Sequence, residues 1–393
     1  MIDVVIAGAG PAGCIAGIVL ARAGVRVVML DRAGFPRPKL CGDSLNPGAV
    51  ALLDRFELTG FPEERAVPAD GMIVTGEAGV RVEGRYPPGV RGRFISRTDL
   101  DSWLLEQALG AGVEVQERAR VVGAVLSDGV RGREVTGVRV ARAPRGECAL
   151  ASRLTIAADG RRSALAFGLG LARHPARPRR WAVGGYFEGV SGLSSLGEMH
   201  IRAGSYIGVA PLPGGIANAC LVTHRIAGLR GHHDLGAVLS AQIARDPMLG
   251  PRFASARPVT RPVALGPLAV DASGAGIPGL LLAGDAAGFV DPMTGDGLFF
   301  AMRGGELAAR AALLALSGRT DSPHHWLAGE RNREFRFKRG FNRSLRLIVS
   351  QPRAVCMASH LAKVCPASIR RLVQIAGDVG ATGLKTGGPT QLV

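Results

Sequence analysis

The 393-residue chain predicts an α/β fold: a Rossmann-type domain interleaved with a β-rich domain and completed by a helical C-terminal segment. Three observations predict it. The first 31 residues read as strand, glycine-rich turn, helix, strand and acid. Residues 177–262 hold short strand-like runs parted by Gly and Pro, and residues 330–376 read as helix. By this reading residues 1–70, 96–176 and 270–330 build the first domain. Residues 71–95 and 177–269 build the second, and 331–393 the helical segment.

The opening unit carries the clearest chemistry. The apolar run Val4-Val5-Ile6-Ala7 leads into Gly8-Ala9-Gly10-Pro11-Ala12-Gly13, a helix follows to Ala23, and Val27-Val28-Met29-Leu30 ends at Asp31. Gly8 permits the tight turn, Gly10 lets the backbone approach a pyrophosphate, and Gly13 lets helix and strand pack closely. The helix N-terminus offers unpaired N–H groups to phosphates, and Asp31 can accept from a ribose hydroxyl. These residues predict a dinucleotide site, with NAD and FAD both open at this point.

The next stretch, Arg32 to Gly48, reads as a loop by its Pro and Gly content, before a short helix from Ala49 to Phe56. It gathers Arg37, Lys39, Cys41 and Asp43 beside the nucleotide turn, which marks the loop as functional. Two or three short strands are expected over 71–95, then a helix to about Leu109 capped by Ser96 or Thr98. Alternation from Arg120 to Ile156 predicts an antiparallel meander, ending at Asp159-Gly160 in a strand-to-helix turn. The β-rich stretch holds Trp181, Tyr186, Tyr206 and Pro211, candidates for a wall against a ligand. Last, Leu280-Leu281-Leu282-Ala283 delivers Gly284-Asp285, and the loop Pro292-Met293-Thr294-Gly295-Asp296-Gly297-Leu298 runs into an alanine-rich helix.

Composition bounds the partners. The formal charge is +16, but all but four of the 48 basic residues are Arg, scattered along the chain, and aromatics make up 5%. No zinc-finger, helix-turn-helix or aromatic stacking pattern accompanies them, so nucleic-acid binding is not expected. The six cysteines are dispersed without a C-x-x-C pair, which argues against a disulfide framework or a metal site and for a reducing cytoplasm. The apolar start lacks a basic n-region and is read as a strand, not a leader. A cluster of Arg residues over 331–346 suggests a solvated helical face, with anionic lipid or an acyl carrier protein as the alternative partner.

The order G-x-G-x-x-G, Asp159-Gly160 and Gly284-Asp285 resembles the FAD-dependent oxidoreductases of the p-hydroxybenzoate hydroxylase fold, over about residues 1–330. The runs Phe35 to Gly42 and Asp291 to Gly297 resemble its geranylgeranyl-reductase-like branch. The resemblance implies FAD, with Asp31 on the adenosine ribose and Arg97 on the FAD chain. It also places Asp159-Gly160 near the pyrophosphate and Asp285 on the ribityl or pyrophosphate region. Pro292, Gly295, Asp296, Gly297 and Leu298 would lie against the isoalloxazine ring, and Arg32, Lys39 and Val121 complete the implied contacts. Asp31 departs mildly from the family, where Glu is commoner.

Two reactions are expected from this likeness. The first is an NAD(P)H-driven monooxygenase that hydroxylates an apolar or aromatic, secondary-metabolite-like substrate. The alternative is a flavin-dependent reductase of C=C bonds in an isoprenoid or other unsaturated lipid, with Cys41 and Asp43 as candidates for the proton-donating acid or for substrate positioning. The expected location is the cytoplasm, with peripheral membrane or carrier-protein contact through the basic C-terminal helices.

Overall fold

A computed structural model describes residues 2–129, 132–142, 146–176, 179–224 and 234–379. Strand β1 (Ile2–Ala7), helix α1 (Pro11–Arg22) and strand β2 (Val27–Leu30) form the opening unit. Helix α2 (Pro47–Arg55) begins at Asn46, whose side chain accepts from Ala49 N at 2.9 Å. Strands β3 (Gly71–Thr75) and β4 (Arg81–Arg85) precede helix α3 (Arg97–Gly110). Its cap is Ser96, not Thr98, with the hydroxyl accepting from Asp99 N at 3.1 Å.

Next come β5 (Glu114–Gln116), β6 (Arg120–Gly129), β7 (Gly132–Arg142) and β8 (Gly146–Ala157). The last three pair antiparallel as the expected meander. Strands β9 (Trp181–Glu188), β10 (Leu196–Arg202), β11 (Ser205–Leu212) and β12 (Ile216–Thr223) follow. Helix α4 (Leu235–Arg245) was not expected in this β-rich stretch. Leu239 and Ile243, one turn apart, bury its apolar stripe against the second sheet. Strand β13 (Leu280–Leu282) leads to α5 (Gly297–Leu316), α6 (Pro323–Ser350), α7 (Pro352–Val364) and α8 (Pro366–Ala376). Pro352 and Pro366 divide the C-terminal helices as the sequence predicts, since each lacks the N–H that would continue the preceding helix. Residues 380–393 of the expected helical segment lie outside the described residues.

In the eight-stranded first sheet, five strands run β13–β8–β1–β2–β5, all parallel, while Gly276–Ile277 and the meander strands β6 and β7 add to it antiparallel. Alternation along β1 divides its side chains: Val4 and Ile6 join the core under α1, α3 and α5, while Val5 and Ala7 join the core under the meander. The second sheet runs β9–β12–β11–β10–β3–β4, antiparallel except where β10 lies parallel to β3. Strands β3 and β4 therefore leave the first unit: β3 pairs with β10, more than a hundred residues later, and β4 with β3, which is the expected interleaving. Gly92–Ile95 departs from it, pairing with Ser44–Leu45 and Ala66–Ala69 in a separate three-stranded sheet. Among the described residues no helix is long and apolar enough to cross a membrane.

Candidate functional site

Four parallel strands end at one edge of the first sheet, and the chemistry-bearing turns all leave from there. Gly8 follows β1, Asp31 follows β2, Asp159 follows β8 and Gly284-Asp285 follows β13. Ligands of open α/β sheets bind in this crevice beyond the carboxyl ends of the strands. Helix α1 starts there at Pro11, and its N-cap Gly10 makes no side-chain cap bond, so the first turn's N–H groups face the crevice unclaimed by a cap. A Cβ on Gly13 would lie 1.9 Å from the Gly8 carbonyl oxygen, so only glycine lets this helix sit so close to the turn. Asp31 accepts from Ala9 N and Ala33 N, both at 2.9 Å, and thereby ties the end of β2 to the glycine turn.

One cavity joins this crevice to the face of the second sheet. Gly10, Pro11, Ala12, Lys39, Cys41, Arg97, Gly160 and Asp285 line its first-domain side, with Pro292, Gly295, Gly297 and Leu298 from the loop before α5. Ala182, Met199, Tyr206, Cys220, Val222, Leu265 and Leu268 are its second-sheet wall, which carries no charged side chain. Of the candidate ligand-wall residues only Tyr206 is there. Trp181 packs its ring over Gly266, Pro211 is buried within β11 opposite Ala217, and Tyr186 turns its hydroxyl to Asp43. Alternation sends Trp181 and Pro211 to the other face of their strands, whereas Tyr186 shares the face of Ala182 but lies four residues further along β9, where its hydroxyl meets Asp43.

Asp43 also departs from its expected place. It is fully buried, with φ of +51°, and is not among the groups lining the cavity. One oxygen accepts from Arg97 N at 3.1 Å; the other accepts from Tyr186 OH at 2.8 Å and Asn218 Nδ2 at 2.5 Å. Asn218 Nδ2 also donates to the Cys41 carbonyl at 2.8 Å. Asp43 is thus a positioning residue that pins the Cys41 loop to the second sheet. Asn218, a lone amide in an apolar strand, was the sequence signal for this clamp.

Burial pushes the Asp43 carboxyl up to about 6, against the pull of the Tyr186 and Asn218 donors. The folded state therefore holds this proton more tightly than the unfolded chain, so its stabilising contribution is full below about pH 4 and is lost as pH rises through 6. The span corresponds to about 3 kcal/mol. In Asp43→Asn the fall in unfolding free energy between those pH values should shrink by roughly that amount. Denaturant titrations of both proteins at each pH check it, and an unchanged slope would overturn the assignment.

Cys41 does face the cavity. Burial raises its thiol pKa, while the Arg97 guanidinium beside it pulls the other way. Arg97 is buried and held by Asp101 through two 2.8 Å bonds. Arg37, which sequence reasoning left without a role, bridges Asp101 at 3.3 Å and Asp31 at 3.7 Å. Lys39, whose pKa is lowered by burial, neighbours Arg97 and Asp285. Arg32 is exposed, and Val121 lies in the core beneath the meander; neither lines the cavity. Asp296 is buried at the start of α5, where Asn342 Nδ2 donates to it at 3.0 Å.

The loop before α5 is held by a buried triad that the sequence did not reveal. Tyr206 OH donates to Asp291 at 2.6 Å, and Arg180 Nη1 donates to the other oxygen at 3.1 Å. Arg180 Nη2 continues to the Arg346 carbonyl and Ser350 on α6. The triad joins the loop, the second sheet and the C-terminal helices at one point.

Residues 1–213 match the family model described as FAD binding domain. The chain belongs to that family. It is 29% identical over 404 aligned residues to the menaquinone reductase of Mycolicibacterium smegmatis, covering 96% of this chain and 91% of that protein. It is likewise 29% identical over 325 residues to digeranylgeranylglycerophospholipid reductase 2 of Methanopyrus kandleri, covering 80% and 77%. Its fold superposes with a TM-score of 0.76 on a geranylgeranyl bacteriochlorophyll reductase-like protein of Thermoplasma acidophilum, at 20% identity and over 100% and 97% of the two chains. The protein is an FAD-dependent oxidoreductase of the p-hydroxybenzoate hydroxylase fold, as the motifs implied.

The residues present fit FAD. The N-terminus of α1, free of a side-chain cap, suits a pyrophosphate. Asp159 Oδ1 is buried and finds no hydrogen-bond partner among the described residues, as expected of a group that meets a ligand.

Proposed function

We propose that the protein reduces C=C bonds in the isoprenoid chain of a lipid, with FAD as its redox group and NAD(P)H as the reductant that reloads it. The observation that carries this reading is the cavity itself: a second-sheet wall without charge in a space that the half-buried Cys41 also lines. Such a wall suits a hydrocarbon and offers nothing to orient a polar aromatic acid. The relatives named as reductases of menaquinone and of digeranylgeranylglycerophospholipid, both prenylated lipids, support the same substrate class.

In this reading the α1 N-terminus, Arg97, Lys39 and Asp285 hold the FAD chain. Asp31 holds the adenosine ribose, Asp159-Gly160 lie by the pyrophosphate, and the loop Pro292 to Leu298 backs the ring. Bound and reduced, FAD supplies a hydride to one alkene carbon. Cys41 supplies the proton to the other: its S–H bond breaks as the new C–H bond forms, and Arg97 stabilises the thiolate until solvent returns a proton. The apolar wall excludes water from the reacting carbons and aligns the chain.

Anaerobic mixing of NAD(P)H-reduced protein with a geranylgeranyl lipid tests the reaction. Flavin reoxidation should accompany a product heavier by two hydrogens. An oxygenated product formed only in air would overturn it in favour of hydroxylation. The cofactor placement has its own test: Asp285→Ala should weaken FAD binding by about tenfold or more, through loss of a charged partner, and purify largely colourless. Full yellow occupancy in that variant would refute the placement.

A further inference from the structure

A second cavity, of about 310 Å³, lies between β3, β4 and β10 on one side and helices α6, α7 and α8 on the other. Its lining is apolar apart from four hydroxyls, on Thr75, Thr294, Ser359 and Ser368. Three of these are already engaged. Thr75 pairs with His200 Nδ1 at 3.0 Å, Ser359 accepts from Glu77 N at 3.1 Å, and Ser368 donates to the Cys365 carbonyl at 2.7 Å. Such a space has almost nothing to offer a polar ligand. Its volume falls at the lower end of small-molecule sites.

Both ends of the cavity are informative. At the inner end Met199 lines this cavity and the flavin-side cavity alike, and Met293 and Thr294 come from the loop that backs the flavin-side cavity. The Thr294 hydroxyl is buried and has no partner among the described residues, so it can meet a polar group on a ligand lying between the two spaces. At the outer end Leu361 and Ile348 line the cavity yet are 61% and 38% exposed. Met357 and Val364 continue this exposed face on α7, at 73% and 84%. Spaced at 357, 361 and 364 they form one stripe along the helix, opposite the buried stripe Val355, Ser359 and Ala362.

Charge sets the partner of that face. From Phe335 to Gly377 the sequence has nine Lys or Arg and no Asp or Glu. Arg343, Arg353, Lys363, Arg370 and Arg371 are exposed on the same helices. An apolar stripe flanked by these cations, on a stretch of chain that carries no acid, matches the interface of an anionic lipid bilayer.

We infer that this cavity is a hydrocarbon-chain site filled from an anionic bilayer, on which α7 rests by Met357, Leu361 and Val364. That the chain is the substrate's own rests on the reductase reading; the chain binding and the docking do not. Helix α7 would place the mouth of the cavity among acyl chains, and a polyprenyl tail could pass Met199 toward the flavin-side cavity without crossing water.

The FAD-loaded full chain is titrated with trans-parinaric acid, a fluorescent polyene, and co-sedimented with vesicles of phosphatidylglycerol and phosphatidylcholine or of phosphatidylcholine alone. Ala362→Trp, which fills the cavity, should weaken parinarate binding by about tenfold or more while FAD content and vesicle binding stay as in the wild type. Ser368→Phe, at the half-buried rim, serves the same purpose should Ala362→Trp not fold. Leu361→Ser with Val364→Ser should abolish sedimentation with the anionic vesicles, and neutral vesicles should bind the wild type about tenfold less. Equal parinarate binding in the filled variants would overturn the chain site. Absence of sedimentation, or sedimentation indifferent to lipid charge, would overturn the docking. None of these readouts needs turnover, so failure of C=C reduction with chain and vesicle binding intact would count against the reaction alone.

Discussion

Cys41→Ala is expected to slow substrate-dependent reoxidation of the flavin by about 10²–10⁴-fold, the range lost with a general acid. FAD content and reduction by NAD(P)H should be unchanged, because the Cys41 side chain holds the proton and not the cofactor. The pH profile separates this role from a packing role. A proton donor must be protonated, and burial raises the Cys41 thiol above its ordinary range. The wild-type rate should hold through neutral pH and fall only in strongly alkaline solution; the residual rate of the variant should lack that limb. Stopped-flow reoxidation with saturating lipid measures both, and a variant within about twofold of wild type would remove Cys41 from the mechanism.

The largest effect on stability is expected at a helix crossing, in Gly305→Ala. A Cβ there would stand 2.2 Å from the Ala12 carbonyl oxygen and 3.1 Å from Ala12 Cα, so α5 would be driven off α1. The obstructing atoms belong to backbone, and no rotamer change relieves the clash. A loss of about 3 kcal/mol, at the upper end for overpacking, is expected. It should appear as a fall in Tm of about 3–4 °C. Because Ala12 lines the flavin-side cavity, FAD should also bind more weakly. Thermal unfolding followed by release of flavin fluorescence reads the two effects together. A Tm within about 0.5 °C of wild type would show that the two helices can separate at almost no cost.

These predictions differ in how visible their residues are in the sequence. Gly8 to Gly13, Asp31, Asp159 and Asp285 are legible because each follows a short apolar strand within a few residues, and strand, turn and helix announce themselves locally. Gly305 is not legible. It sits in an alanine-rich helix like any small residue, and its close approach involves a turn almost three hundred residues away. The Cys41 loop is intermediate: its composition marks it as functional, but nothing local separates Cys41 from Asp43.

The sequence by itself determined the α/β class, the interleaved second sheet, the division of the C-terminal helices at two prolines, and the cofactor crevice. All of these follow from periodicity, turn residues and spacing within single units. The tertiary structure alone decided which of the loop's side chains faces the cavity. Asp43 is claimed by Tyr186 and Asn218, 143 and 175 residues away, leaving Cys41 at the wall. It likewise decided that Tyr206 and Arg180 share Asp291, and that Trp181, Tyr186 and Pro211 point elsewhere. The physical reason is common to these cases. A hydrogen bond or a strand face is set by which segments pack together, and partners so distant in the chain leave no pattern in either neighbourhood.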